Sequence, residues 1–452
     1  MVLEMAVTAL RIHEPLRNRS TVPVWTLEDS VFGPRHKEAD TKGFVESPEM
    51  LLMMMDADMR RCLNRNRFTK LVVQGMNEIE GFQELERLQN ILKKHYYTIV
   101  NMFYYYSAIS VSASITMMGL NEWACFLDST SVIDPQSKHC KRADMDRLFI
   151  EANHTGETKT KDKLEYDSNS IKTLMRFEFI EALCRLALVK IAVPKSSAKD
   201  AKPLLLSQAL EALLTVYILP NAQLEATESP DKFRKERMYL QEVDLLLWRY
   251  VSSLQHIYDY YRKFSSVRRV KVDSLGMTSE DWTALLRDGQ ITTQSAVMDN
   301  FSKREQQLVF AKSKMCVIDE IPSIKRMQCL TFVEFLEALC RSADFLSLPN
   351  SAQLKHWGET VITTSTVEWK TRGEAPTLTE YFDKVSRGAP AIPQRESAGF
   401  CTEKFRPLVE KLFPFIELLL TGLCKTHKVD KHEALARLLH GRLKSNIVQK
   451  AY

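Results

Sequence analysis

The chain has 452 residues, of which 45% are hydrophobic and 26% charged, and its formal net charge is +5. This is the balance of a globular protein with ample core material, and it excludes a dedicated nucleic-acid binder, which would carry a larger basic excess. Only 14 glycines and 16 prolines are spread over this length, too few for the turns of a sandwich or barrel, so the expected fold class is all-α.

Residues 1–91 read as a partly helical N-terminal extension. The opening stretch, MVLEMAVTALRIHEPL, carries Glu4 and lacks a basic start before an unbroken apolar run, so it does not read as a signal peptide. From Leu92 the apolar residues recur at helical spacing in LKKHYYTIVNMFYYYSA, and again in ADMDRLFIEAN (143–153) and RFEFIEALCRLA (176–187). The polar stretch His154 to Ser170 between them reads as a surface insertion. Residues 196–245 read as a helical connector. Its most apolar run, from Leu204, is broken by Gln208 and Glu211 and is too short to span a bilayer. Helical patterns return in LLLWRYVSSLQHIYDYYRKF (245–264), KREQQLVFAKSKM (303–315) and TFVEFLEALCRSA (331–343). Residues 349–400, rich in Pro, Gly, Ser and Thr, read as irregular linker. Residues 401–452 read as basic C-terminal helices. From Thr421 onward Lys425, Lys428, Lys431, Arg437, Arg442, Lys444 and Lys450 stand against Asp430 and Glu433 only. An amphipathic helix there, with Lys431, Arg437, Arg442 and Lys444 on its polar side, is a candidate contact for an acidic surface.

Internal repetition organises the middle of the chain. RFEFIEALCR and FVEFLEALCR share EF-[IL]-EALCR, placing Glu178 against Glu334. Upstream, Trp123 aligns with Trp282, and Tyr106 with Tyr261, in the same order and at nearly the same offset. A period of about 156 residues is too long for a solenoid repeat, so each copy is expected to be a small unit, 92–195 and 246–348.

Each unit divides again. Met118/Glu122/Trp123, Leu174/Glu178/Phe179, Met277/Asp281/Trp282 and Leu330/Glu334/Phe335 all read apolar-x-x-x-acid-aromatic. This pattern resembles the second half of an EF-hand. The resemblance implies a short strand at the apolar residue, a calcium-closing acid at loop position twelve, and an aromatic opening the exit helix. The expected architecture is therefore two duplicated EF-hand-pair-like helical units with helical and irregular extensions. The four aromatics, Trp123, Phe179, Trp282 and Phe335, are expected in the core or lining a groove.

The calcium chemistry is missing. Loops counted back from Glu122, Asp281 and Glu334 lack the required carboxylates, and the last presents Lys325 and Arg326 instead. The loop ending at Glu178 has Asp167 and Asn169 in ligand positions, but Ile171 stands where a ligand belongs and Lys172 where glycine belongs. The four acids then serve their helix N-termini, where negative charge is favoured. No phosphate loop, nucleophile elbow or zinc-spaced Cys/His set is present, so neither metal nor cofactor nor enzymatic activity is expected. The nine cysteines have no regular spacing and read as reduced thiols of a reducing compartment.

The paired units with Arg176–Leu183 and Phe332–Leu339 resemble calcium-dead EF-hand-like proteins of protist flagella and axonemes. That resemblance implies a structural role on microtubule doublets, with tubulin and other axonemal proteins as partners and neither nucleic acid nor membrane. It implies a cytoplasmic, cytoskeletal location in the axoneme of a cilium or flagellum. The alternative expectation is a regulatory, calcium-sensor-like subunit that grips an amphipathic target helix.

Overall fold

The computed structural model describes residues 24–35, 44–45, 47–109, 116–137, 139–154, 172–192, 204–263, 276–292, 301–346, 348–364, 376–389, 392, 406–432, 434–435, 437–439 and 441. Among them the fold is all-α, with strands only two residues long.

In chain order, β1 (Phe44–Val45) precedes α1 (Pro48–Leu63), α2 (Asn66–Val72) and the long α3 (Glu78–Ile109). Ser47 caps α1 by accepting from Met50 N at 3.3 Å, and Pro48 adds the fixed backbone angle that suits a first helical turn. Next come β2 (Met118–Gly119), α4 (Leu120–Ser129), α5 (Arg142–Ala152), β3 (Thr173–Leu174) and α6 (Arg176–Ala187). The connector contains α7 (Leu206–Ala212), α8 (Leu219–Asn221), α9 (Leu224–Thr227) and α10 (Pro230–Phe233), with π-helical turns at Leu213–Ile218 and Arg234–Met238. Then follow α11 (Gln241–Tyr261), β4 (Met277–Thr278), α12 (Ser279–Asp288), α13 (Lys303–Ser313), β5 (Cys316–Val317), α14 (Ile324–Met327), β6 (Cys329–Leu330) and α15 (Phe332–Leu346). The last elements are α16 (Ser351–Thr364), α17 (Leu378–Ser386) and α18 (Leu408–His427).

Three antiparallel ladders tie distant segments together. Met118 pairs with Leu174, and Met277 with Leu330. These are the four apolar residues that open the sequence pattern. The third ladder was not foreseen; it pairs Phe44 with Val317 and so joins the N-terminal region to the second half of the chain.

One contiguous core runs from Val31 to Leu439. Around α3, Phe103 packs on Phe179, and Trp123 meets both Phe126 and Phe179. Around α11, Tyr258 packs on Phe335 and Trp282 on Phe335. A hydroxyl bond accompanies each set: Tyr106 with Ser129 at 2.5 Å, and Tyr261 donating to Asp288 at 3.0 Å.

The boundaries read from sequence need correction. The one expected at 91/92 falls inside α3, because buried Leu88, Leu92, Tyr96 and Ile99 form one uninterrupted helical stripe. The one at 245/246 falls inside α11. Residues 1–91 are no appendage where described, since α1 packs directly on α6. The 349–400 stretch, expected as irregular linker, contains α16 and α17. Its Pro and Gly content hid a capping box, in which Glu380 accepts from Thr377 N at 2.8 Å and Thr377 accepts from Glu380 N at 3.3 Å. Trp357 of α16 then meets Tyr381 of α17 edge-on, ring centres 4.8 Å apart. The final segment is less a basic extension than a core element. Leu408, Leu412, Phe415, Ile416, Leu419 and Leu423 bury one side of α18 despite the internal Pro414.

Candidate functional site

Glu122, Glu178, Asp281 and Glu334 each lie in the first turn of a helix, and all four are buried. Glu178 accepts from Met175 N at 2.9 Å, Asp281 from Thr278 N at 2.9 Å, and Glu334 from Thr331 N at 2.6 Å. Each carboxylate thus satisfies a backbone donor at a helix start, the role that favours negative charge there. Glu122 occupies the matching first turn of α4 beside Gly119, where any added side-chain carbon would collide with its carboxylate.

The second oxygen of two of these acids meets a cation supplied by the protein. Arg65, from the corner between α1 and α2, donates to Glu178, and its other branch reaches Glu181 at 3.2 Å and Ala152 O at 2.6 Å. Phe177 covers the guanidinium, 4.7 Å from its ring centre. Arg326, in the short helix α14, pairs with Glu334 at 2.9 Å, and Met315 N donates to the same oxygen at 2.6 Å. Burial alone would push the Glu334 carboxyl up; Arg326 and Met315 N hold it below its ordinary value instead. In these two loops a guanidinium meets the acid that would close a calcium shell in an EF-hand.

The repeated EALCR segment supplies a second kind of buried site. Glu181 pairs with Arg185 at 2.6 Å, and Glu337 with Arg341 at 2.7 Å, both one helical turn apart. Glu337 is also met by Arg35 at 2.6 Å and Arg234 at 2.9 Å. Burial would raise the Glu337 carboxyl, but Arg234, Arg35 and Arg341 together keep it below the ordinary range. The cysteines beside these acids, Cys184 and Cys340, are buried, and burial pushes their thiols up, away from the reactive thiolate.

A third cluster joins the two halves of the chain. Arg176, fully buried at the start of α6, donates twice to Asp58 of α1, at 2.6 and 2.9 Å. It also donates to Tyr104 of α3 at 3.1 Å, and to Val317 O and Ile318 O at 3.1 and 2.8 Å. Its backbone N–H donates to Glu320 at 2.8 Å, and Tyr104 donates to Glu320 at 3.1 Å. Arg61 and Asp319 add an ion pair at 2.7 Å. Burial and the neighbouring Asp58 carboxylate push Glu320 up to about 7, against the opposing pull of Arg176.

Sequence reasoning placed Trp123, Phe179, Trp282 and Phe335 in core or groove, and all four are buried. It did not single out Arg65, Arg35, Asp58, Glu320, Glu181 or Glu337. The i,i+4 Glu and Arg of EALCR were the one local signal available; the other partners lie too far apart in the chain. Asp167 and Asn169 fall outside the described residues, as do Arg442 and Lys444. Lys431 and Arg437 are exposed, while Leu435 and Leu439 beside them are buried against the core. Among the described residues no group of His, Cys, Asp and Glu side chains is placed to hold a metal, and no helix is long and apolar enough to cross a membrane.

Comparison of the chain with known protein families, with curated proteins and with solved structures finds no match.

Proposed function

We propose that this chain is a non-enzymatic, calcium-independent scaffold of the microtubule cytoskeleton, built from two EF-hand-pair-like units fused into one body. The observation that carries the reading is the closure of the loop ends by internal arginines. In both Glu178 and Glu334 one carboxylate oxygen accepts from a backbone N–H and the other meets a guanidinium, so an ion would have to compete with a built-in cation. A protein that opens and closes with calcium needs those oxygens; a fixed structural part does not.

The axonemal setting, with tubulin and other axonemal proteins as partners, rests on the signature at Arg176–Leu183 and Phe332–Leu339. Exposed Lys425, Lys428, Lys431 and Arg437 at the end of α18 and just beyond it support an acidic partner surface. A regulatory subunit gripping a target helix would need an open apolar cup, whereas Trp123, Phe179, Trp282 and Phe335 are buried.

Co-sedimentation with microtubules tests the proposal. The native protein should pellet, and pelleting should weaken as ionic strength rises to the physiological range, where exposed charges are screened within about 8 Å. Reversing Lys425, Lys428, Lys431 and Arg437 to Glu should reduce it further. Absence of pelleting at low salt would remove the microtubule assignment.

A further inference from the structure

Trp248 of α11 is 49% exposed, whereas Trp123, Trp282 and Trp357 are buried. An indole left half in water forgoes much of the apolar burial that so large a side chain offers. Its position on the helix is informative. Trp248 stands one turn after Asp244, and so on the same side of α11. Asp244 is also where the described chain begins: Trp25 Nε1 donates to its carboxylate at 2.9 Å, and Val31 N at 2.8 Å. Half-buried Val251, three residues beyond Trp248, continues the same apolar side.

Residues 1–23 precede this anchor and lie outside the described residues. In their sequence Leu3, Ala6, Val7 and Leu10 recur at helical spacing, with Glu4, Thr8 and Arg11 together on a polar side. Leu10 lies fourteen residues before Val24, a tether that reaches roughly 45 Å when extended. Trp248 is only about 6 Å of helix rise from Asp244. Reach is therefore ample. Arg17 and Arg19 enter just ahead of exposed Glu28 and Asp29, so the charges of the incoming stretch and of its surroundings are complementary.

We infer that residues 2–12 of the same chain cover the exposed side of α11, with Leu3, Val7 and Leu10 seated on Trp248 and Val251. The tether decides the occupant. Trp25 fixes the start of the described chain on Asp244, so the apolar stretch is held beside Trp248 at an effective concentration on the order of millimolar. An apolar contact too weak to join separate molecules is sufficient within one chain at that concentration. Trp248 is then an internal contact under an N-terminal strap, not part of a surface offered to a partner.

Fluorine NMR of the full chain labelled with fluorotryptophan tests the inference, the Trp248 line being identified by its loss in Trp248→Phe. In the native protein that line should respond little to exchange of H2O for D2O. In the full chain carrying Leu3→Glu, Val7→Glu and Leu10→Glu together, it should move and take on the solvent response of an exposed indole. Tenfold dilution of the native protein should leave it in place. Limited trypsin digestion supplies the reciprocal reading: cleavage after Arg11 should be at least tenfold faster in Trp248→Ala than in the native chain. The same Trp248 line in the native and triple-variant proteins, or equal cleavage after Arg11 in the native and Trp248→Ala proteins, would overturn the strap. A line that shifts on dilution would also overturn it, and would assign the cover to a second copy of the chain.

Discussion

Arg65 seats its guanidinium on the carboxylate of Glu178, 113 residues away in sequence, in a site closed to water on both sides. Replacing Arg65 with Met leaves Glu178 buried without its cation. Such a loss costs roughly 3–5 kcal/mol in buried pairs. Urea denaturation should show it, and Arg65→Met combined with Glu178→Gln should recover part of it. A cost below about 1 kcal/mol would mean that the pair does not hold the loop end shut.

The two halves should unfold together. Trp123→Ala and Trp282→Ala each empty a fully buried site, and each should cost about 3–5 kcal/mol. Because Arg176 bonds to Asp58, Tyr104 and the Val317–Ile318 carbonyls at once, either lesion should lower a single transition rather than split it in two. Two separable transitions in calorimetry would show that the halves are independent.

The clasp around Arg176 should make stability fall as pH rises. Glu320 is pushed up to about 7 in the folded chain, from an ordinary carboxyl value of 4.5 when unfolded. Between these values the folded state keeps a proton that the unfolded state has released. Stability from this residue is thus complete below about pH 4.5 and is lost as pH climbs through 7. Glu320→Gln should flatten the profile between pH 5 and 8, since the amide does not titrate and keeps one acceptor oxygen for Arg176 N or Tyr104. An unchanged slope in that variant would assign the titration elsewhere.

Helix α18 sits close to the turn after α12, where Gly422 meets the backbone of Gly289 and Thr426 donates to Asp288 O at 2.6 Å. A methyl group at Gly422 would force the helix off this turn. Gly422→Ala should therefore destabilise by roughly 1–3 kcal/mol, as overpacking does. Lys425→Ala, exposed one turn on, should stay within about 0.5 kcal/mol. Equal effects of the two would remove the close-approach explanation.

Much of the local architecture was legible in sequence because its signals are local. An apolar residue four places before an acid, with an aromatic following it, locates Met118, Leu174, Met277 and Leu330, which pair as the short ladders. Helices α16 and α17 were missed because a Pro- and Gly-rich composition was given more weight than one capping box at Thr377. The buried charges were missed for a different reason. Arg35 meets Glu337 across 302 residues and Arg176 meets Asp58 across 118, and a buried arginine looks like any other until its partner is known. The repeated Glu and Arg of EALCR stand at helical spacing in the sequence, but that spacing does not show that the pair is buried or which distant arginines join it.

Calcium independence is the most exposed consequence of loop ends occupied by Arg65 and Arg326. Thermal melts of the native chain in saturating calcium and in chelator measure it directly. A single site filled at 100 times its Kd would add about 2.7 kcal/mol to stability, a shift readily seen in a melt. The closed loops predict the same Tm in both conditions. A reproducible calcium-dependent upshift, abolished by Glu178→Gln, would contradict them.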